Sequence, residues 1–231
     1  MIRRFLLLGT IIILLILQTS SCKHKLYSEF DEGYIEYLIS YDQSIPSKYD
    51  PDLLPDKMVV KFLDNNILNK IEGLHGVITL TFITNAETQK SITLVKLLNK
   101  KIFFEEPIIK GKYPKVFSEM PQISITKSDE SFKFQGYECK KASAVFLDSS
   151  NYSFEIIYTD KIRIEKPNAN TPFESIDGIM LKFNVKLYNQ ILTLTSSNIK
   201  SSDIPREEFS IPAEYERVNE ETIDEVISLL Q

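Results

Sequence analysis

Cysteine is the residue type to weigh first, because the chain has only two and they stand in unlike settings. Cys22 follows Thr19-Ser20-Ser21 directly, and behind these lies Phe5 to Leu17, free of charge and preceded by Arg3 and Arg4. A basic start, a short apolar run and small residues before a cleavage point read as a secretory signal. The run is shorter than the roughly 20 apolar residues of a spanning helix. A Cys at that point has the setting of a bacterial lipobox, in which Cys22 becomes the acylated first residue of the mature chain. Cys139 sits instead in Tyr137-Glu138-Cys139-Lys140-Lys141, alternating with charge. The spacing predicts a strand with Cys139 on the face of Tyr137 and Val145, a buried thiol packed as a small hydrophobe. With Cys22 lipidated, Cys139 has no disulfide partner. A reactive thiolate would need a nearby base or resolving cysteine, and the sequence offers neither.

The other chemistry-bearing types are sparse. Two histidines, His24 in the segment after Cys22 and His75 in a Gly-flanked loop, are too far apart in sequence to suggest zinc. The acid doublets Glu105-Glu106, Glu207-Glu208 and Glu220-Glu221 could work as paired carboxylates only by converging in space. Neighbours on a strand point to opposite faces, so each doublet reads as solvated surface. GxGxxG, P-loop, HExxH, CxxC and GxSxG motifs do not occur. No cofactor is expected and no enzyme is indicated. The formal charge is −5, and removing the signal takes away Arg3 and Arg4 but no acid. A net acidic chain without a basic cluster is a poor nucleic-acid binder. Membrane attachment would then come from acyl chains on Cys22.

Whatever chemistry there is must be positioned by strands, because the body of the chain alternates with period two. Ile35, Tyr37, Ile39 and Tyr41 share one face; Met58, Val60 and Phe62 do the same before an Asn65-Asn66 turn. Ile78, Leu80 and Phe82 alternate with threonines, then Ile92, Leu94 and Leu98 lead to an Asn99-Lys100 turn. Phe132 and Phe134 pass through Gly136 into Tyr137–Phe146. Asp148 to Asn151 turns the chain, and Tyr152, Phe154, Ile156 and Tyr158 run back. Ile179, Leu181, Phe183, Val185 and Leu187 face one way while Lys182, Asn184 and Lys186 face the other, before Asn189-Gln190 reverses the chain.

One helix is expected, at the C-terminus. Asn219 suits an N-cap, Glu220 and Glu221 favour the positive end of the dipole, and Ile223, Val226, Ile227 and Leu230 form one apolar stripe. Proline-bearing stretches at Ser44–Pro55 and Glu105–Pro121 read as loops. The organisation is a signal at 1–21, a lipidated tether at 22–31 and one β-rich domain at 32–231. With 14 Phe and 11 Tyr, aromatics at alternating positions are either core or the lining of an apolar pocket. The candidate lining is Phe82, Tyr158, Leu181, Phe183, Val185 and, from the helix, Ile227.

Four segments carry a family resemblance. Ser131-Phe-Lys-Phe-Gln-Gly-Tyr-Glu-Cys-Lys-Lys-Ala142 is similar to a "GYxCKKA" strand of a family of exported proteins from Gram-negative bacteria. Phe154–Asp160 resembles its "WYT-D" strand, and Phe173–Leu181 its "GLPGLI"-like turn, without the proline. Phe209-Ser-Ile-Pro-Ala-Glu-Tyr215 resembles its closing "FxIPxxY" element. The resemblance implies a fold like that of the LolA/LolB lipoprotein carriers: a strongly curved antiparallel sheet, an incomplete barrel, with a helix packed on it. The gating residues of those carriers have no counterpart here. The expected function is a membrane-anchored envelope lipoprotein, tethered to the outer membrane and facing the periplasm, that binds a lipid or other apolar ligand. The alternative is a structural or accessory subunit of an envelope protein assembly.

Overall fold

A computed structural model of the protein describes residues 30–42, 54–117, 120–187 and 190–229, the side chains of residues 187 and 229 excepted. Cys22, the signal segment, His24, most of the 44–55 loop, the side chain of Leu187 and Leu230 lie outside the described residues.

Two meanders build the sheet. The first comprises β1 (Gly33–Tyr41), β2 (Lys57–Leu63), β3 (Asn66–Gly73), β4 (Ile78–Asn85), β5 (Lys90–Leu97) and β6 (Lys100–Pro107). The second comprises β7 (Ile123–Phe134), β8 (Tyr137–Phe146), β9 (Ser153–Thr159), β10 (Ile179–Leu187) and β11 (Gln190–Ser201). Antiparallel pairing of β1 with β11, from Gly33 opposite Ser201 to Tyr41 opposite Leu192, fuses them into one sheet. The two-residue β12 (Glu216–Arg217) adds to β6 in parallel, and α1 (Glu220–Leu229) follows. The order is β12-β6-β5-β4-β3-β2-β1-β11-β10-β9-β8-β7, a mainly antiparallel sheet with two edges and no barrel closure.

Tight turns explain the meanders. Asp64 and Asn65 both adopt positive φ (50° and 65°), as do Gln135 and Gly136 (49° and 85°); such two-residue turns match the twist of hairpin strands. Each of two expected turns falls one residue earlier than the spacing suggested, at Asp64-Asn65 and Leu98-Asn99. Asn66 already belongs to β3, where its Oδ1 accepts from the Ala86 N–H at 2.8 Å. Leu98, expected to continue an apolar face, is at the turn and exposed. The sheet also rolls. Gln135, at the tip of the β7–β8 hairpin, accepts from Ser196 Oγ of β11 at 2.8 Å and donates to the Ser196 carbonyl. Strands β8 and β11 lie three positions apart, about 14 Å in a flat sheet, so only curvature brings them together.

The inner face holds the main core: Ile35, Tyr37 and Ile39 of β1, Met58, Val60 and Phe62 of β2, and Phe183 of β10, among others. Covering it are residues 160–178, which join β9 to β10 and bury Ile162, Ile164, Phe173 and Ile176. Gly178 closes that cover because its backbone runs against β9; a Cβ there would lie 2.3 Å from the Thr159 carbonyl oxygen. The segment after β6 adds Val116 and Met120. At the far end of the same face α1 seats Ile223 and Ile227 on Val95 and Ile102, and Asn219 caps it through its Oδ1, which accepts the Thr222 N–H at 2.9 Å.

On the outer face of β3–β6 a second cover follows β11. Ile204, Phe209, Ile211 and Tyr215 pack on Leu68, Ile83, Ile92 and Leu94. The FxIPxxY segment is therefore a hydrophobic clamp on the back of the sheet. It also explains why β5 is buried at five successive positions, Ser91 to Val95, instead of alternating.

Three further expectations change. In β8 the buried side switches from Tyr137 and Cys139 to Ala142, Ala144 and Phe146, leaving Val145 half-buried; the switch lies opposite the register irregularity between Lys127 and Ser131 of β7. β10 is not half-buried, since Asn184 is covered too and donates from Nδ2 to Thr193 Oγ1 at 2.9 Å. The end of the expected tether belongs to the domain: Phe30 bridges to Ile162 and stacks on Phe62 at 5.8 Å.

Candidate apolar cavity

The inner face is not filled to the end. Between the sheet and its covers lies a cavity of about 150 Å³, the size of an apolar cavity that accepts one benzene molecule. Its apolar wall comes from the strands at the junction of the two meanders: Tyr37 and Ile39 of β1, Met58 and Val60 of β2, Phe183 and Val185 of β10, and Leu192 and Leu194 of β11. These positions share one face because β1 pairs β2 with Tyr37 opposite Met58, and β10 pairs β11 with Phe183 opposite Leu194. On the other side Asn69 of β3, Thr84 of β4 and Ser91 of β5 put polar groups among the apolar Ile67, Ile71 and Phe82.

Two segments roof the cavity. Pro114, Val116 and Phe117 come from the stretch after β6, and Asn168, Ala169, Thr171 and Phe173 from the stretch after β9. Edge-on aromatic packing fixes the second roof, with Phe183 between Phe173 (5.6 Å) and Tyr37 (5.9 Å). Asn168 Nδ2 donates to the carbonyls of Ile176 and Gly178, both at 2.8 Å. The first roof is held by ion pairs: Lys112 to Glu106 at 3.3 Å, and Lys115 to Glu220 (2.6 Å) and Asp224 (3.0 Å) of α1. Inside, the Tyr37 hydroxyl donates to the Met180 carbonyl at 2.7 Å. Burial raises its pKa well above the ordinary value, so it stays a neutral donor.

Of the six expected lining residues, Phe82, Phe183 and Val185 border the cavity. Leu181, Tyr158 and Ile227 do not. Leu181 is fully buried in the main core, at the register irregularity between Met180 and Lys182. Tyr158 lies on β9, which contributes nothing to the cavity, and Ile227 packs in the separate cluster under α1. The period-two pattern gave the strand residues a face, but which stretch of that face stays uncovered depends on where the two roofs land. Tyr37 and Met58 were legible as inward positions; the roof residues had no periodic signal.

Elsewhere the chemistry is muted. Burial pushes the Cys139 thiol up to about 11, and the residue is a free, buried cysteine. His75 is exposed on its turn. Glu106 departs from the expectation of a solvated doublet: β6 continues through it, and it is buried while Glu105 points to the other face. Among the described residues no three His, Cys, Asp or Glu side chains converge as a metal site. No described helix is long and apolar enough to cross a membrane.

No family model and no curated protein sequence matches the chain. Its fold is similar to that of a solved structure described as "Structure of PNGF-II in C2 space group", with a TM-score of 0.53 and 12% identity over 85% of this chain and 33% of that one. The chain thus spans about a third of that protein's length, and at such identity the likeness is one of fold alone.

Proposed function

We propose that the protein is a membrane-anchored envelope lipoprotein, tethered to the outer membrane through acyl chains on Cys22 and facing the periplasm, that binds a small apolar ligand without catalysis. The observation behind the ligand is the cavity, with aromatic and aliphatic walls from strands of both meanders under two separately anchored roofs. Its volume favours a single ring or a short alkyl chain over an entire acyl tail. The anchor rests on the sequence around Cys22. Two measurements test the reading. The mature chain should bind benzene in NMR titrations, and Val185→Phe, which fills the cavity, should abolish the binding while the fold persists. Absence of binding, or binding indifferent to Val185→Phe, would overturn the ligand. Mass spectrometry of Cys22→Ser should find an unacylated precursor; normal acylation in that variant would remove the anchor.

A second reading, an accessory subunit of an envelope assembly, draws on β7. This twelve-residue strand forms one edge of the sheet, and such edges can accept a partner strand. A photocrosslinker at Thr126 should then form a discrete protein adduct in cells; the ligand reading expects none.

A further inference from the structure

Cross-strand register sets three polar side chains of the cavity side by side. Thr84 of β4 stands directly opposite Ser91 of β5, and on its other flank opposite Ile67 of β3. Asn69, two residues beyond Ile67 on the same face, is its diagonal neighbour. Thr84, Ser91 and Asn69 all border the cavity. Directly opposed residues hold their Cβ atoms about 5 Å apart, so the Thr84 and Ser91 hydroxyls can both meet one atom placed between them. The other polar groups around the cavity are already engaged. The Tyr37 hydroxyl donates to the Met180 carbonyl and the Thr171 hydroxyl to the Asn168 carbonyl, at 2.7 and 2.8 Å, and Asn168 Nδ2 holds two carbonyls of its own segment. Ser91 is only 4% exposed, yet among the described residues its hydroxyl has no hydrogen-bond partner, and neither has the Thr84 hydroxyl or the Asn69 amide. No described charged residue borders the cavity.

We infer that the ligand is an uncharged amphipath: a ring or short chain in the apolar part of the cavity, with a hydroxyl head between Thr84 and Ser91. This rests on the cavity being a ligand site. A hydroxyl both donates and accepts, as the Ser and Thr hydroxyls do, so one head can accept from one of them and donate to the other. A ligand without a polar atom would cover the Ser91 hydroxyl and leave it unpaired, which is costly. An ammonium or carboxylate head would meet no counter-charge, and burying an unpaired ion costs far more than burying a hydroxyl that finds partners.

The test uses the mature chain titrated in neutral buffer, by NMR and calorimetry, with benzene, phenol, benzylamine and benzoate, which share one ring. Phenol should bind at least as tightly as benzene, although its hydroxyl must leave water, and at least about a hundred-fold tighter than either ion. Thr84→Val, which keeps the side chain's shape and drops its hydroxyl, should weaken phenol about five-fold, and Ser91→Ala should weaken it by as much. Benzene should bind both variants as before, which reports that the cavity persists in them. Rejection of phenol by a protein that binds benzene, ions bound as tightly as phenol, or a phenol affinity indifferent to both substitutions would each overturn the inference. Those outcomes leave the cavity reading standing if benzene binds. Failure of all four probes overturns both.

Discussion

The β3–β6 wing and the β8–β11 wing are made of similar strands, yet they bury apolar surface differently. In the first, the clamp of Phe209, Ile211 and Tyr215 covers the outer face while α1 and the post-β6 segment cover the inner one. In the second, the core lies chiefly on the inner side under residues 160–178. Beside it on β1, Leu38 points outward and is 51% exposed. The lesson concerns polarity as much as coverage. Because the first wing gains apolar contact on its outer side, its inner side can hold Ser91, Thr93 and Glu106 at low exposure. The second wing has less such freedom and turns Phe183, Val185, Leu192 and Leu194 inward. The cavity lies where the two conventions meet.

Substitutions can break this comparison. The largest effect should come from Phe183→Ala, which removes a ring held between Tyr37 and Phe173; the expected loss is about 3–5 kcal/mol in urea melts. A loss near zero would mean that the inner core is not packed around it. Next is a pair of outward positions. Ile83→Ala, fully buried under the clamp, should cost about 2–5 kcal/mol, whereas Leu38→Ala should stay within about 0.5 kcal/mol. Equal costs would erase the asymmetry between the outer faces.

Gly178→Ala sharpens the account of the second wing's cover. The new methyl must displace the Thr159 backbone, at about 1–3 kcal/mol, and hydrogen exchange should quicken across residues 160–178 first. The smallest effect is electrostatic. Lys186, with Ser150, holds the Asp148 carboxyl down at about 2, against an ordinary value of 3.8. A carboxyl depressed in the folded state stabilises fully above about pH 4 and loses that contribution as pH falls through about 2. Lys186→Met should return the Asp148 titration toward 3.8 by NMR and flatten stability between pH 4 and 2.

Much of the sheet was readable because one-sided burial writes itself as alternation. β1 and β2 appear with the expected faces, and Asn219 caps the helix as its side chain suggested. β5 was harder, since Ser91 and Thr93 are buried beside Ile92 and Leu94, and burial on both faces erases the period that identifies a face. The covers were invisible for another reason: residues 160–178 and 204–215 are irregular, and their partners are set by tertiary packing. Glu106 was within reach. Ile102, Phe104 and Glu106 continue one alternation, but the doublet with Glu105 suggested a solvated loop start, and only register shows which carboxylate turns inward.

The seam between β1 and β11 has a consequence for how the molecule forms. Every other antiparallel pairing joins neighbours in sequence, so both meanders can zip locally, whereas this one waits for a segment some 160 residues downstream of β1. Closing so distant a contact is slow, since the loop entropy must be overcome before the ladder rewards it. Until Gln190–Ser201 arrives, β1 is an open edge with Ile35, Tyr37 and Ile39 uncovered, the kind of edge that pairs with other chains. A nascent or interrupted chain therefore has its stickiest surface at what becomes the middle of the finished sheet.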